Sequence, residues 1–297
     1  LLRIVTAPGP APAPDQPPRE QPASAPLRLA GAVGLGFTAD SPTALDPDLR
    51  VFVGDLVRPY GLPLDEGRIA AGAGQSYAEM GEAVITALVT PDRPVDLLIE
   101  VFASPDVQPG RAASVHLSSF CPGRPFAFAL SEQGTAGAFS ALRLVASYLA
   151  GGAFQRALVL VMEQAGLPYV PPDGTPVADR AGAVGLLWER ATDLAVSLPG
   201  DGVRLGVPEA YERVAAALAE MRAAGPEPLL LLGPGLAGLD GPPGAETLRV
   251  RQGNPYTGLW ALLADTLPRI RAERRSVLMA EYDVLLGYLN TARIQVI

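Results

Sequence analysis

The sequence predicts an α/β fold made of two similar β–α–β halves. Three observations lead there. Long apolar runs such as Val95–Leu98 into Ile99–Ala103, Ala157–Met162 and Leu229–Leu232 are almost uninterrupted. Strands of that kind belong to a mostly parallel sheet buried on both faces. Stretches with helical periodicity alternate with them. And one pattern, a Gly-marked helix start followed by an Arg-led buried strand, occurs twice.

The elements follow in order. Residues 1–26 are rich in Pro and Ala and cannot bury apolar surface, so a disordered arm is expected there. "LRLAGAVGLGF" from Leu27 reads as a strand entering a Gly-rich turn. "SYAEMGEAVITALV" places Met80, Val84, Ile85 and Leu88 on one helix face. "PVDLLIEVFAS" is a buried strand ended by Pro105, and "RPFAFAL" is another. "SEQGTAGAFSALRLVASYLAGG", Ser131 to Gly152, is the marked helix, and "RALVLVMEQ" the strand after it. In the second half "AGAVGLLWER" and "DLAVSL" read as paired strands, "EAYERVAAALAEMRAAG" as a helix and "EPLLLLGPG" as a buried strand. Then Gln252–Gly253, Gly258, Ala261–Leu262 and Arg275 repeat Gln133–Gly134, Gly137, Ala141–Leu142 and Arg156 to within about one residue. The halves are expected at 27–170 and 171–297.

Composition narrows the function. The 297 residues are 48% hydrophobic and 18% charged, enough for a large core. The net charge is −8, and no dense Arg cluster offers a nucleic-acid face. Every basic residue except His116 is Arg, which excludes a lysine Schiff base and a Walker-type phosphate loop. One cysteine, Cys121, rules out an intrachain disulfide, and a reducing cytoplasm is the expected compartment. With one histidine and one cysteine, no metal site and no cofactor are expected. Neither a membrane-length apolar run nor a signal peptide is evident, so no membrane partner is expected.

Five stretches, in order, resemble the thiolase superfamily, in particular its ketoacyl-ACP synthase III and chalcone-synthase branch. "VDLLIEVFASPD" is similar to a family strand ending near an Asp. The helix opening at Gln133 resembles the nucleophile helix, "RALVLVMEQAG" the strand that ends in Glu (here Glu163), "DRAGAVGLLWER" the Asp-x-Ala-Gly-Ala strand, and "QGNPYTGLWALL" the Gly-Asn run of the second half. The resemblance spans roughly Leu27 to Ile297. It implies five layers, helix–sheet–helix–sheet–helix, with the halves related by a pseudo-twofold axis.

The family's chemistry needs a cysteine nucleophile at the helix start, a histidine and an asparagine. By the resemblance, the cysteine position is Thr135 and the asparagine is Asn254. The histidine position falls near Gly233–Gly235, where no histidine stands. Gly134, Gly137 and Gly253 fall where the family approaches its acyl substrate. A threonine hydroxyl without a base should be inert on thioesters, and no base is visible beside Thr135 in the sequence. Its bland role would be a hydroxyl cap on the helix. Glu132 is expected to complement the helix dipole. His116 and Cys121, five residues apart, are expected to be packing residues. The Gly-rich "AAGAGQS" and "GPGLAGLDG" read as loops without a nucleotide fingerprint.

The expectation is therefore a non-catalytic ketosynthase-like protein in fatty-acid or polyketide-type biosynthesis. It would pair as a homodimer, or as a heterodimer with an active ketosynthase, and engage acyl-carrier protein or acyl-CoA. The segment Val115–Leu130, apolar and poor in charge, is the expected dimer interface, with Arg124 a lesser candidate for carrier-protein contact. The alternative is an acyltransferase or hydrolase that acts on acyl thioesters through Thr135.

Overall fold

The computed structural model describes residues 27–38, 49–71, 74–190, 196–197, 203–238, 241, 244–251 and 253–294. The expected arm at 1–26, Gln252, and parts of "AAGAGQS", "DLAVSL" and "GPGLAGLDG" lie outside the described residues.

The first sheet holds β1 (Leu27–Phe37), β2 (Leu97–Phe102), β3 (Phe126–Leu130), β4 (Arg156–Glu163) and β5 (Ala181–Arg190) in the order β1-β5-β4-β2-β3. The second holds β6 (Val196–Ser197), β7 (Val203–Arg204), β8 (Leu229–Leu232), β9 (Thr247–Arg249), β10 (Val277–Asp283) and β11 (Tyr288–Ile294), in the order β6-β11-β10-β8-β9 with β7 also on β11. The orders match strand for strand. In each sheet the penultimate strand, β5 or β11, runs antiparallel and the others share one direction. The duplication read from the Gly-marked helix starts is thus present in the topology.

Helix α5 (Ala136–Ala150) leads into β4, and α7 (Gly258–Glu273) leads into β10. Both lie between the sheets. One core joins Ile99, Val159 and Trp188 of the first sheet to Leu231, Val277 and Met279 of the second through Phe139 and Trp260. Phe139 and Trp260 meet edge to face at 4.9 Å, which couples the two central helices. Strand alternation sends the remaining residues outward. Leu98, Leu158 and Leu160 pack under α3 (Tyr77–Leu88) and α4 (Ala113–Phe120). Leu230, Leu278 and Ala280 pack under α6 (Val207–Ala224). The result is the five-layered α–β–α–β–α arrangement. Helix α3 starts where the sequence allows, at a capping box between Ser76 and Glu79. The helices α1 (Leu49–Val57) and α2 (Glu66–Ala71) complete the described set.

Two expectations change. "LRLAGAVGLGF" does not enter a turn. All of it is β1, with Gly34 facing Ala261 of α7 and Gly31 facing Leu88. "AGAVGLLWER" and the strand inside "DLAVSL" do not pair. β5 joins β1 and β4, whereas β6 joins β11 across the molecule. The boundary expected between residues 170 and 171 lies in the connection from β4 to β5, one strand before the change of sheet.

Candidate active site

The two central helices start in the same way. Thr135 is the N-cap position of α5, and Thr257 is that of α7. Each meets a carboxylate from the last residue of a central strand of the other half. Asp283, at the end of β10, accepts from the Thr135 backbone N–H at 2.9 Å and from its hydroxyl at 3.4 Å. Glu163, at the end of β4, accepts from the Thr257 N–H at 3.2 Å and from its hydroxyl. A carboxylate at a helix N-terminus is favoured by the orphan N–H groups and the dipole. The duplication therefore crosses over: each half caps the other's central helix.

This arrangement corrects three readings. The Thr135 hydroxyl does not cap α5; it makes no side-chain cap bond and turns to Asp283. Glu132 does not complement the dipole, because it is exposed in a left-handed turn (φ 60°) ahead of the helix, and Asp283 fills that role. And an acid does stand beside Thr135. Asp283 is 148 residues away, in a strand the sequence marks only as apolar, so no local spacing signals it.

Thr135 has little room around it. It borders a cavity of about 10 Å³, with Val101, Phe102, Ala138, Met162 and Tyr256, which is space for a single water. The glycines are also committed. A side chain at Gly134 would overlap Asp283, so the bare Cα there (φ 53°) admits that carboxylate. A Cβ at Gly137 would stand 2.9 Å from Val101, and one at Gly253 would stand 2.7 Å from Asp179. All three glycines open onto the protein's own side chains.

Asn254 is equally occupied. Its amide donates to Glu163 at 2.6 Å and to the Arg180 carbonyl at 3.0 Å. Together with the N–H of Tyr256 at 3.0 Å, these bonds hold the segment before α7 on Glu163. Burial pushes the Glu163 carboxyl up, against the pull of the hydrogen bonds from Thr257, Tyr256 and Asn254. Asn254 borders a different cavity from Thr135, one of about 410 Å³ beside Arg180, Arg249, Arg251 and the start of α7. Tyr256 is the residue of that segment that reaches the Thr135 cavity.

His116 and Cys121 lie elsewhere. His116 is exposed on α4 and pairs with Glu82 at 2.6 Å, so it is a surface residue rather than a packing one. Cys121 is buried at the end of α4, as expected, and burial pushes its thiol up to about 11, far from a thiolate at neutral pH. Among the described residues no group of His, Cys, Asp and Glu has the arrangement of a metal site.

No protein-family model matches the sequence, and no curated protein does. Solved structures do. The chain is similar to AbyA1, a tetronic acid condensing enzyme, at 19% identity and a TM-score of 0.59 over 91% of this chain and 99% of that one. It is similar to 3-oxoacyl-(acyl carrier protein) synthase III from Xanthomonas oryzae at 13% identity and 0.58, over 92% and 99%. The fold is thiolase-like. The acyltransferase ChlB3 superposes with a TM-score of 0.60 at 16% identity over 92% and 98%. The thiolase-like fold thus spans nearly the whole chain, and its neighbours include a synthase III of the kind that the five motifs resemble.

Proposed function

We propose that this thiolase-fold protein is a non-catalytic ketosynthase-like subunit, one that pairs with an active ketosynthase-like protein or holds an acyl or carrier-protein partner. The observation that supports this most is the Asp283 carboxylate on the Thr135 N–H. In acyl transfer that N–H would be a donor for a developing oxyanion. Here an acidic oxygen already uses it. No thiol or imidazole stands beside it, and the adjoining space of about 10 Å³ cannot take an acyl thioester.

The pairing surface also has support. β3 is the edge of the first sheet, and an unpaired edge is a pairing hazard. Val115, Phe120 and Phe126 are 65%, 45% and 53% exposed there. Phe126 belongs to an aromatic group with Phe128, Tyr148 and Phe154. That is the composition of an interface core. The test is co-expression with any ketosynthase encoded beside it, followed by co-purification. A stable complex lost in Phe126→Arg supports the reading. A monodisperse monomer that retains no ketosynthase rejects it.

One observation favours a second reading. Asp283 lies 3.4 Å from the Thr135 hydroxyl and could act as its base in an acyltransferase or hydrolase. That reading requires acyl-thioester turnover that disappears in both Thr135→Ala and Asp283→Asn.

A further inference from the structure

A second site lies away from Thr135, where the start of β5 passes the loops after β1 and β4. A cavity of about 250 Å³ opens there between Arg68, Gln75, Gln164, Asp179 and Arg180. Its deepest wall is Gln164, only 2% exposed. The Gln164 amide nitrogen is committed, donating to the Gln75 carbonyl at 2.9 Å and to Asp106 at 3.4 Å. Those two bonds fix which way the amide faces. Its oxygen, buried, has no partner among the described residues, and neither has the buried side-chain oxygen of Gln75. Buried acceptors are normally satisfied, so two beside one cavity point to a donor that occupies it.

Charge specifies the rest. Arg68 and Arg180 make no ion pair among the described residues, in a chain of net charge −8. A glycine makes room for the Arg68 head: a Cβ at Gly166 (φ 98°) would stand 2.6 Å from an Arg68 nitrogen. Two guanidinium groups against the single carboxylate of Asp179 leave one positive charge on the lining. Asp106 lies on the nitrogen side of Gln164, where it also accepts from the Tyr77 N–H at 3.0 Å. A monoanion balances this lining. A phosphate dianion would place further acceptors against two acceptor oxygens.

We propose that this cavity binds a small carboxylic acid that carries a hydroxyl donor next to its carboxylate, a monoanion. Arg68 and Arg180 take the carboxylate, and the Gln164 and Gln75 oxygens accept from the donor. The site does not depend on Thr135, so it stands whether or not the protein is catalytic.

The test is calorimetric titration of the full chain with three acids of one carbon skeleton, propionate, lactate and alanine, and with inorganic phosphate. Lactate should bind at least tenfold more tightly than propionate, phosphate and alanine, whose ammonium group leaves it without net charge. Arg68→Gln and Arg180→Gln should each weaken that binding tenfold or more. Gln164→Met should abolish the preference over propionate. Should that buried variant not fold, Gln75→Met and the two rim arginines carry the test. Four results overturn the proposal: no binding of lactate at millimolar concentration, equal binding of propionate, tighter binding of phosphate, or affinities that the arginine variants leave unchanged.

Discussion

At the scale of single residues, Asp283 organises the start of helix α5. Its two oxygens serve four donors: the Thr135 N–H and hydroxyl on one, and the N–H groups of Leu285 and Leu286 on the other. Asp283→Ala leaves those part-buried donors unpaired and should lower stability by about 1–3 kcal/mol, read by chemical denaturation. Little of this was legible in sequence. Thr135 and Asn254 could be found because they sit in a Gly-marked motif. Their carboxylate partners come from strands in the opposite half, and no spacing along the chain encodes such a contact. Titration provides a second residue-scale prediction. Burial raises Glu100 to about 7, Asp106 to about 6 and Glu281 to about 8. For each, the folded state holds a proton that the unfolded state loses near its ordinary carboxyl pKa. Their contribution is thus complete below about pH 4 and declines as pH rises through the folded values. Thermal melts should therefore show stability falling between pH 5 and 8. Glu281→Gln should flatten the upper part of that decline.

At the scale of elements, the apolar runs carried the most information. β2, β4 and β8 are buried along nearly their whole length, and they fell where continuous hydrophobicity placed them. Glycine misled where it sat inside a strand, because a turn and a close helix–strand approach leave the same mark. β1 is the case in point, with Gly34 facing Ala261. The two-residue strand β6 could not be assigned to a sheet in advance, because its partner β11 is nearly 100 residues further on. The central pair of helices makes the element-scale prediction. Phe139 and Trp260 are buried at 0% and 2% exposure and join the halves. Phe139→Ala should cost about 3–5 kcal/mol. In a double-mutant cycle with Trp260→Ala the losses should be non-additive, since the rings touch.

The whole molecule is a duplicated fold in which each half caps the other's central helix. Asp283 and Glu163 occupy matching positions at the ends of β10 and β4, on Thr135 and Thr257. The first sheet ends in the edge strand β3, whose first residue, Phe126, is exposed. Light scattering of the purified chain should show a dimer that Phe126→Arg converts to monomer. The central claim is that the Thr135 end of α5 is closed to acyl transfer by its own structure. Intact-protein mass spectrometry after incubation with acyl-CoA and acyl-carrier-protein thioesters tests it most directly. The account predicts an unchanged mass. A stoichiometric acyl adduct that vanishes in Thr135→Ala would contradict it.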